Sequence, residues 1–284
     1  MTLFSLLLVL GWERLFKLGN HWQIDQRFAP LFALGKGVSL AKSLALLLLW
    51  MLLLVLALRS LHGLFFGLPT LLLWLVVGLF CFGAGEIRRD YRAYMKAARR
   101  GEQNAMTQMA AELALIPGLS ADGRPEVRLR ELQSALVWIN YRFYLAPLFY
   151  FVSAGPYGPV ALGGYALLRA YQSWLIRQGD PLARAQSGID RLLHWVDWLP
   201  VRVAGVAYAL LGHGERALPA WLASLGDLRS SPYQVLTGLA QLSLARDPHL
   251  DALKTPLAAV MLARRITVAL IVVVALLTIY GALL

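Results

Sequence analysis

Three ionisable side chains recur at helical spacing in the second half of the chain. Asp190, His194 and Asp197 stand at positions i, i+4 and i+7, so a helix places them on one face. Such a face can bind a metal ion, or pair a carboxylate with an imidazole for proton transfer. A polar face packed against basic segments at a membrane surface explains the same spacing, and we favour that interpretation. We assign no catalytic residue and no metal ligand.

Two arginines lie within otherwise apolar stretches. Placing Arg142 or Arg169 in hydrocarbon costs roughly 2.5–3.5 kcal/mol on insertion scales, so each needs a polar partner or a wet cavity. The candidate companions are Asn140, Glu131, Tyr165 and Gln172, and the last two share a helix face with Arg169. The arginines form either a polar pocket that holds an anion, or structural ion pairs and snorkelling side chains. The candidate pocket comprises Glu131, Asn140, Arg142, Arg169, Asp190, His194, Asp197 and Arg202.

Long apolar segments must position these residues. The chain has 284 residues, of which 58% are hydrophobic and only 15% charged, whereas a soluble domain carries about 25% charged residues. The composition predicts an all-α, polytopic membrane helical bundle with helical cytoplasmic segments, forming a single membrane domain over residues 1–284. Each predicted span approaches the ~20 residues that cross ~30 Å of hydrocarbon. The predicted spans are 43–62, 64–85, 132–154, 158–176 and 266–284.

The remaining segments are shorter or more polar. Residues 1–18 are predicted to form a short membrane helix that either crosses or dips in and returns. Pro147 is expected to kink the third span or to end its first half. Residues 86–131 and 177–265 are predicted to be cytoplasmic and helical. They are expected to contain a helix continuing from the second span, a bent helix through Pro200, and short helices at 215–225 and 232–245.

Basic residues are distributed unevenly among the connecting segments. Residues 13–42 hold five Lys and Arg, residues 86–132 hold nine and residues 177–265 hold ten, whereas the two hairpin turns hold only Arg59. Even numbers of predicted spans separate the three rich segments, so one orientation places all of them in the cytoplasm. The net charge of +11 therefore reflects membrane topology. A lipid bilayer is the expected partner, and nucleic acid is not.

Motifs of known enzymes are not found. Gly35-Lys36-Gly37 lacks the first glycine and the Ser or Thr of a phosphate loop. Gly212–Ala217 fits a loose GxGxxA pattern, but no strand precedes it as dinucleotide binding requires. These glycines are expected to end one helix and begin the next. The lone Cys81 excludes an intrachain disulfide and a cysteine metal cluster. The cofactor, if the protein uses one, is unknown from the sequence.

Runs along nearly the whole chain resemble the AmpE family. They are Met1–Phe4, Glu13–Gly19, Leu129–Gln133, Trp138–Asn140, Arg142–Phe149, Gln186–Asp190, Pro200–Arg202, Gly212–Glu215, Leu218–Trp221 and Leu277–Gly281. AmpE proteins are inner-membrane proteins linked to induction of chromosomal β-lactamase in Gram-negative bacteria. The resemblance implies a regulatory or signalling protein of the cell inner membrane, without catalysis, in β-lactamase induction or the response to cell-wall stress. It also implies a partner that is a cytoplasmic protein or a cell-wall-derived small molecule.

A second, more distant resemblance implies a different function. Ala146–Phe149, the glycines before Tyr165 and Pro200–Arg202 are similar to the CobD/CbiB family of cobalamin-biosynthesis membrane proteins, which attach aminopropanol or its phosphate to the corrin ring. Gly19–Trp22 lacks the aspartate and the His-Pro pair of that family, and its paired aspartates before Pro-x-Arg are absent. The alternative function is therefore a membrane-embedded small-molecule-binding protein or enzyme derived from this scaffold. Its site would combine Asn140, Arg142, Asp190, His194, Asp197 and Arg202.

Overall fold

A computed structural model gives the all-α fold that the sequence predicts. It describes residues 2–16, 24–34, 39–116, 124–244 and 251–281, and over these ranges the chain contains no strand. The helices are α1 (Thr2–Phe16), α2 (Ile24–Arg27), α3 (Ala29–Leu34), α4 (Leu40–Leu61), α5 (Leu68–Cys81), α6 (Gly85–Arg100), α7 (Gln103–Leu113), α8 (Pro125–Asn140), α9 (Ala146–Ser153), α10 (Gly158–Gln178), α11 (Pro181–Ser187), α12 (Ile189–Leu211), α13 (Gly214–Leu225), α14 (Pro232–Ser243) and α15 (Lys254–Ile279).

The chain folds into two compact units that alternate along the sequence. Met1–Gly85, Ala146–Val196 and Val272–Leu284 form one, here named the apolar unit. Glu86–Leu145 and Asp197–Ile271 form the other, the charged unit, which holds 17 of the 27 Lys and Arg and 12 of the 16 Asp and Glu. The expected single membrane domain stays a prediction.

Within the described residues, four helical segments are long and apolar enough to cross a membrane, and two of them combine consecutive helices. They cover Leu40–Leu61, Leu64–Arg100, Pro125–Ser153 and Lys254–Ile279. These ranges overlap the predicted spans 43–62, 64–85, 132–154 and 266–284. Residues 17 and 18 of the predicted N-terminal helix, and residues 282–284 of the last span, lie outside the described residues. The fifth predicted span, 158–176, is also helical, but it is not among these four helices.

That fifth segment, α10, is the centre of the apolar unit. It packs on α4, α5 and α9, and most of its residues are buried. At Gly163 a Cβ would stand 2.7 Å from Leu54 Cδ1 of α4, so the absence of a side chain lets the two helices approach closely. By contrast, α4 exposes Leu48 and Leu52 at 64% and 54%. Because protein surrounds α10, its sequence need not be as apolar as that of a helix facing lipid.

The second predicted span does not continue into the cytoplasmic helix, and this detail of the prediction is wrong. Helix α5 ends at Cys81, Phe82 is extended, and α6 begins only at Gly85. Gly83 has φ +100°, and the next break, between α6 and α7, has Gly101 at φ +72°. Both breaks occur where glycine adopts a positive φ without a Cβ clash. The segment 86–115 is therefore two helices.

Two prolines lie within helical segments of the structure. Before Pro147 the chain forms a π-helical turn over Tyr141–Leu145. This wider turn accommodates a ring that has no N–H and that clashes with the carbonyl four residues earlier in an α-helix. Pro200 lies inside α12 and leaves the Val196 carbonyl without its helical donor. The Tyr150 hydroxyl donates to that carbonyl at 2.6 Å.

In the middle of helix α12, two charged residues are buried and two large apolar residues are exposed. Asp197 and Arg202 are each 3% exposed, whereas Trp195 and Leu199 are 59% and 51% exposed. A surface helix in water shows the opposite arrangement. The helix predicted through Pro200 is therefore present, and around the proline it buries two charged side chains while it exposes two apolar ones.

The charged unit has an apolar core of its own. Tyr94, Leu113, Leu132 and Leu136 pack together, one from α6, one from α7 and two from α8. Helix α14 packs on both α8 and α13. The two short helices predicted at 215–225 and 232–245 are α13 and α14.

Candidate functional site

The predicted pocket residues are distributed over both units. The apolar unit contains Arg169, Asp190 and His194, and the charged unit contains Glu131, Asn140, Arg142, Asp197 and Arg202. Each of these side chains is described below with the contacts that it makes inside its own unit.

Arg169 lies in the middle of α10 and is 1% exposed. One of its η nitrogens donates to the Cys81 carbonyl at 3.4 Å. Cys81 is the last residue of α5, and the final carbonyls of a helix have no helical N–H partner. The guanidinium therefore lies at the negative end of the α5 dipole. This contact supports a structural role for Arg169, one of the two roles that the sequence left open.

A second buried charge borders the same helix end, and sequence reasoning missed it. Glu13 of α1 is 5% exposed. Its Oε1 lies 2.9 Å from the position that a Cβ of Gly83 would take, two residues beyond Cys81. A carboxylate and the Arg169 guanidinium thus lie beside the break between α5 and α6. An acidic residue that ends the apolar run 3–13 was the available signal.

Asp190 is the centre of a polar cluster. Its Oδ1 accepts a hydrogen bond from Gln172 Nε2 at 2.6 Å. Arg184, which was not predicted, donates from Nε to Oδ2 at 2.7 Å and from Nη2 to Oδ1 at 3.1 Å. This two-point geometry is the strong form of an Arg–carboxylate pair. Because the two side chains are 33% and 46% exposed, the pair contributes little to stability.

His194 and Asp197 make contacts unrelated to those of Asp190. The His194 ring meets the Trp195 ring edge-on, with centroids 5.7 Å apart. Asp197 Oδ1 accepts from the Tyr141 hydroxyl at 2.8 Å, and both side chains are buried. Over the ranges that the structure covers, no three His, Cys, Asp or Glu side chains are placed to hold a metal ion.

The remaining members of the set lie on or near α8. Arg142 occupies the π-helical turn and is 2% exposed. The Asn140 side-chain oxygen accepts from the Thr267 hydroxyl of α15 at 3.3 Å. Glu131 is half-buried on α8. The Asn140 side chain is thus bonded to α15.

Arg202 binds backbone carbonyls at the end of α13. Its Nη1 donates to the Trp198 carbonyl at 2.9 Å, and Nη2 donates to the carbonyls of Ser224, at 3.1 Å, and Asp227. The guanidinium also lies 4.2 Å from the centre of the Trp198 ring, a favourable cation–π geometry. These contacts fasten α12 to the turn that follows α13.

The Asp227 side chain is fixed in that turn. Its Oδ1 accepts from the backbone N–H groups of Arg229 and Ser230 at 2.8 and 3.0 Å. These bonds, led by one from the Ser230 side chain, lower the pKa of Asp227 to about 2, and the nearby Arg202 charge lowers it further. The carboxylate is therefore ionised at neutral pH.

A groove beside this turn was not predicted. It encloses about 700 Å³ and is lined by residues of α8, α13 and α14, among them Ser224 and Asp227. None of the eight predicted pocket residues lines it. On α14, Gln234, Gly238 and Gln241 stand at i, i+4 and i+7. The same spacing test that singled out Asp190 would have found this polar face.

Comparisons with known proteins agree over the full length of the chain. Residues 1–284 match the model of the family described as regulatory signalling modulator protein AmpE. Protein AmpE from Shigella flexneri is 56% identical over 283 residues, which cover 100% of this chain and 100% of that protein. No solved structure matches the chain. Nothing in these comparisons supports the resemblance to the CobD/CbiB family.

Proposed function

We propose, from the premise that this chain belongs to the AmpE family of regulatory signalling modulators, that it acts in the inner membrane in the induction of β-lactamase or a related response to cell-wall stress. The observation that carries the proposal is the match of residues 1–284 to the family. The signal would pass to a cytoplasmic protein, or arrive as a cell-wall-derived small molecule. Catalysis forms no part of this proposal.

The lipid bilayer is the partner that the exposed apolar surface requires. Leu48, Leu52 and Leu56 of α4 are 64%, 54% and 54% exposed, and Val272 of α15 is 51% exposed. Exposure of this much contiguous hydrocarbon to water is unfavourable, and lipid removes that cost. Helices also satisfy their own backbone hydrogen bonds, which a membrane demands. Both properties fit the candidate spans α4 and α15.

The proposed topology has five spans within one membrane domain. If only the four most apolar helices crossed, residues 154–253 would lie on the side opposite to α6. Arg184, Arg216 and Arg229 would then lie on the side of the membrane away from the cytoplasm, against the positive-inside rule. If α10 also crosses, every basic-rich segment lies on the cytoplasmic side. The buried position of α10 among α4, α5 and α9 supports this arrangement, because such a helix meets little lipid.

Single cysteines test this topology in a Cys81→Ala background. Glu102→Cys marks the α6–α7 turn and Gly226→Cys marks the α13–α14 turn, where an added Cβ meets no atom within 4 Å. Tyr157→Cys marks the turn between α9 and α10 and is 45% exposed. We expect a membrane-impermeant maleimide to label only Tyr157→Cys in intact spheroplasts, and all three after lysis.

Two results would refute parts of this topology. Labelling of Gly226→Cys but not Glu102→Cys in intact spheroplasts would show that α10 does not cross. Labelling of both, with Tyr157→Cys protected, would reverse the orientation. Either result would leave the family assignment untouched, because that assignment rests on sequence.

The regulatory function is tested by deletion in an otherwise wild-type strain. We expect β-lactamase activity after exposure to a β-lactam to differ from that of the parent, and a plasmid copy of the chain to restore it. An empty plasmid is the matched control. If induction in the deletion strain equals that of the parent over the full range of β-lactam doses, the proposed role is lost.

A further inference from the structure

The groove of the charged unit is fixed by a short chain of hydrogen bonds. The buried Ser134 hydroxyl accepts from Gln241 Nε2 at 2.8 Å, and Gln241 Oε1 accepts from Arg130 Nε at 3.1 Å. The chain therefore begins in the core and ends at an exposed guanidinium. Arg130 makes no other side-chain hydrogen bond to the residues that the structure describes, so both η nitrogens are available to a ligand.

Further donors line the same groove. The Arg216 guanidinium and the Gln133 amide have no hydrogen bond or ion pair within the described part of the chain. Gln234 uses its side-chain oxygen to accept from the Ser231 N–H at 3.3 Å, which leaves its amide nitrogen available. The acid in the lining, Asp227, has its Oδ1 occupied by two backbone N–H groups. The groove thus offers more donors than acceptors.

These groups define the chemistry of a ligand. Guanidinium groups bind carboxylates and phosphates through two parallel hydrogen bonds. Amide side chains pair with hydroxyl or amide groups. The volume of about 700 Å³ lies within the range of roughly 300–1,000 Å³ that is usual for small-molecule sites. We infer that this groove binds a small carboxylated or phosphorylated molecule that also carries several hydroxyl or amide groups. The inference goes beyond the proposed function and does not rest on it.

One residue of the lining gives a direct way to fill the groove. Gly238 of α14 lines it, and a Cβ built there meets no atom within 4 Å. Gly238→Trp should therefore occupy the ligand space without disturbing the core. Gly238→Ala is the matched control, since a methyl group leaves most of the space open.

The test measures binding to the full chain purified in detergent, by titration calorimetry. Glucose 6-phosphate, glucuronate and inorganic phosphate are the anionic probes, and glucose is the neutral probe. We expect glucose 6-phosphate or glucuronate to bind at least about tenfold more tightly than glucose, because of the three sugars only these two carry an anionic group that can pair with the guanidinium groups. Arg130→Gln with Arg216→Gln, and separately Gly238→Trp, should each weaken that binding by about tenfold or more.

Controls separate this site from general attraction to a basic protein. Arg229→Gln removes an exposed charge outside the groove lining, and it should leave binding within about twofold of wild type, as should Gly238→Ala. Absence of binding by all three anions overturns the inference. So does binding that survives both the double arginine variant and Gly238→Trp. Phosphate binding as tightly as glucose 6-phosphate overturns the part of the inference that concerns hydroxyl or amide groups.

Discussion

Each unit holds a buried arginine by backbone carbonyls at a helix end, and the charged unit also holds a buried carboxylate by a tyrosine hydroxyl. In the apolar unit, Arg169 lies at the carbonyl end of α5, and Glu13 borders the break that follows. In the charged unit, Asp197 is held by a tyrosine hydroxyl, and Arg202 by three backbone carbonyls. The apolar unit contains four acidic residues and the charged unit twelve. A helix end therefore supplies acceptors for a buried guanidinium in both units, whereas the Asp197 carboxylate takes its donor from a side chain.

Substitution of one closely packed glycine in each unit should cause the largest loss of stability. A Cβ at Gly158 would lie 2.3 Å from the Phe151 carbonyl oxygen, and one at Gly212 would lie 2.4 Å from Ser243 Cβ. Neither neighbour is the end of a flexible side chain, so Gly158→Ala and Gly212→Ala should each cost about 1–3 kcal/mol of stability. Thermal unfolding in detergent measures this cost. Gly226→Ala, which meets no atom within 4 Å, should unfold like wild type, and equal unfolding temperatures for all three variants would contradict the packing in both units.

Removal of the Tyr141 hydroxyl should have the next largest effect. Tyr141→Phe leaves the buried Asp197 carboxylate without a donor that lies 2.8 Å from it. A hydrogen bond to a charged group contributes about 1.5–3 kcal/mol, so we expect a loss of about 2 kcal/mol in denaturant or thermal unfolding. Asp197→Asn combined with Tyr141→Phe should lose less than the two single variants together. If Tyr141→Phe were neutral, the charged unit would not hold this carboxylate by the bond described.

A smaller effect is expected for the corresponding tyrosine of the apolar unit. The acceptor of the Tyr150 hydroxyl is the Val196 carbonyl, a neutral group freed by Pro200. Tyr150→Phe should therefore cost about 1 kcal/mol. In a Pro200→Ala background the restored N–H can bond that carbonyl, so the same change should cost less. A double-mutant cycle of unfolding free energies measures the coupling, and strictly additive effects would show that the proline and the tyrosine act independently.

The smallest effect on stability is expected from Asp227, in the exposed turn after α13. Because the pKa of Asp227 is about 2 in the folded protein and 3.8 in a model compound, the ionised carboxylate favours the folded state. This stabilisation is complete above about pH 4 and is lost as the pH falls toward 2. The unfolding temperature of the wild type should therefore decline more steeply over this interval than that of Asp227→Asn. Parallel declines would show that Asp227 contributes nothing to the pH dependence.

Several features of the fold could be predicted because they depend on neighbouring residues. Local patterns of the sequence include the apolar runs that form α4 and α15 and the more polar segments that form α13 and α14. The prolines in α9 and α12 are local signals of the same kind. The hydropathy of a run and the missing N–H of a proline act within a few residues of the chain. The break after Cys81 was harder to predict. It occurs at Gly83, where an ordinary apolar run continues to Gly85 in the sequence.

The sequence by itself determined that the chain is helical, rich in membrane-spanning segments and marked by buried arginines. The tertiary structure decided what those arginines contact and where a ligand-sized groove lies. Arg169 meets a carbonyl 88 residues away, and Arg130 meets an amide 111 residues away. The hydropathy of a segment is a sum over consecutive residues, so it can be read from the sequence without knowledge of the fold. A hydrogen bond depends on two atoms that only the packing of distant helices brings within about 3 Å.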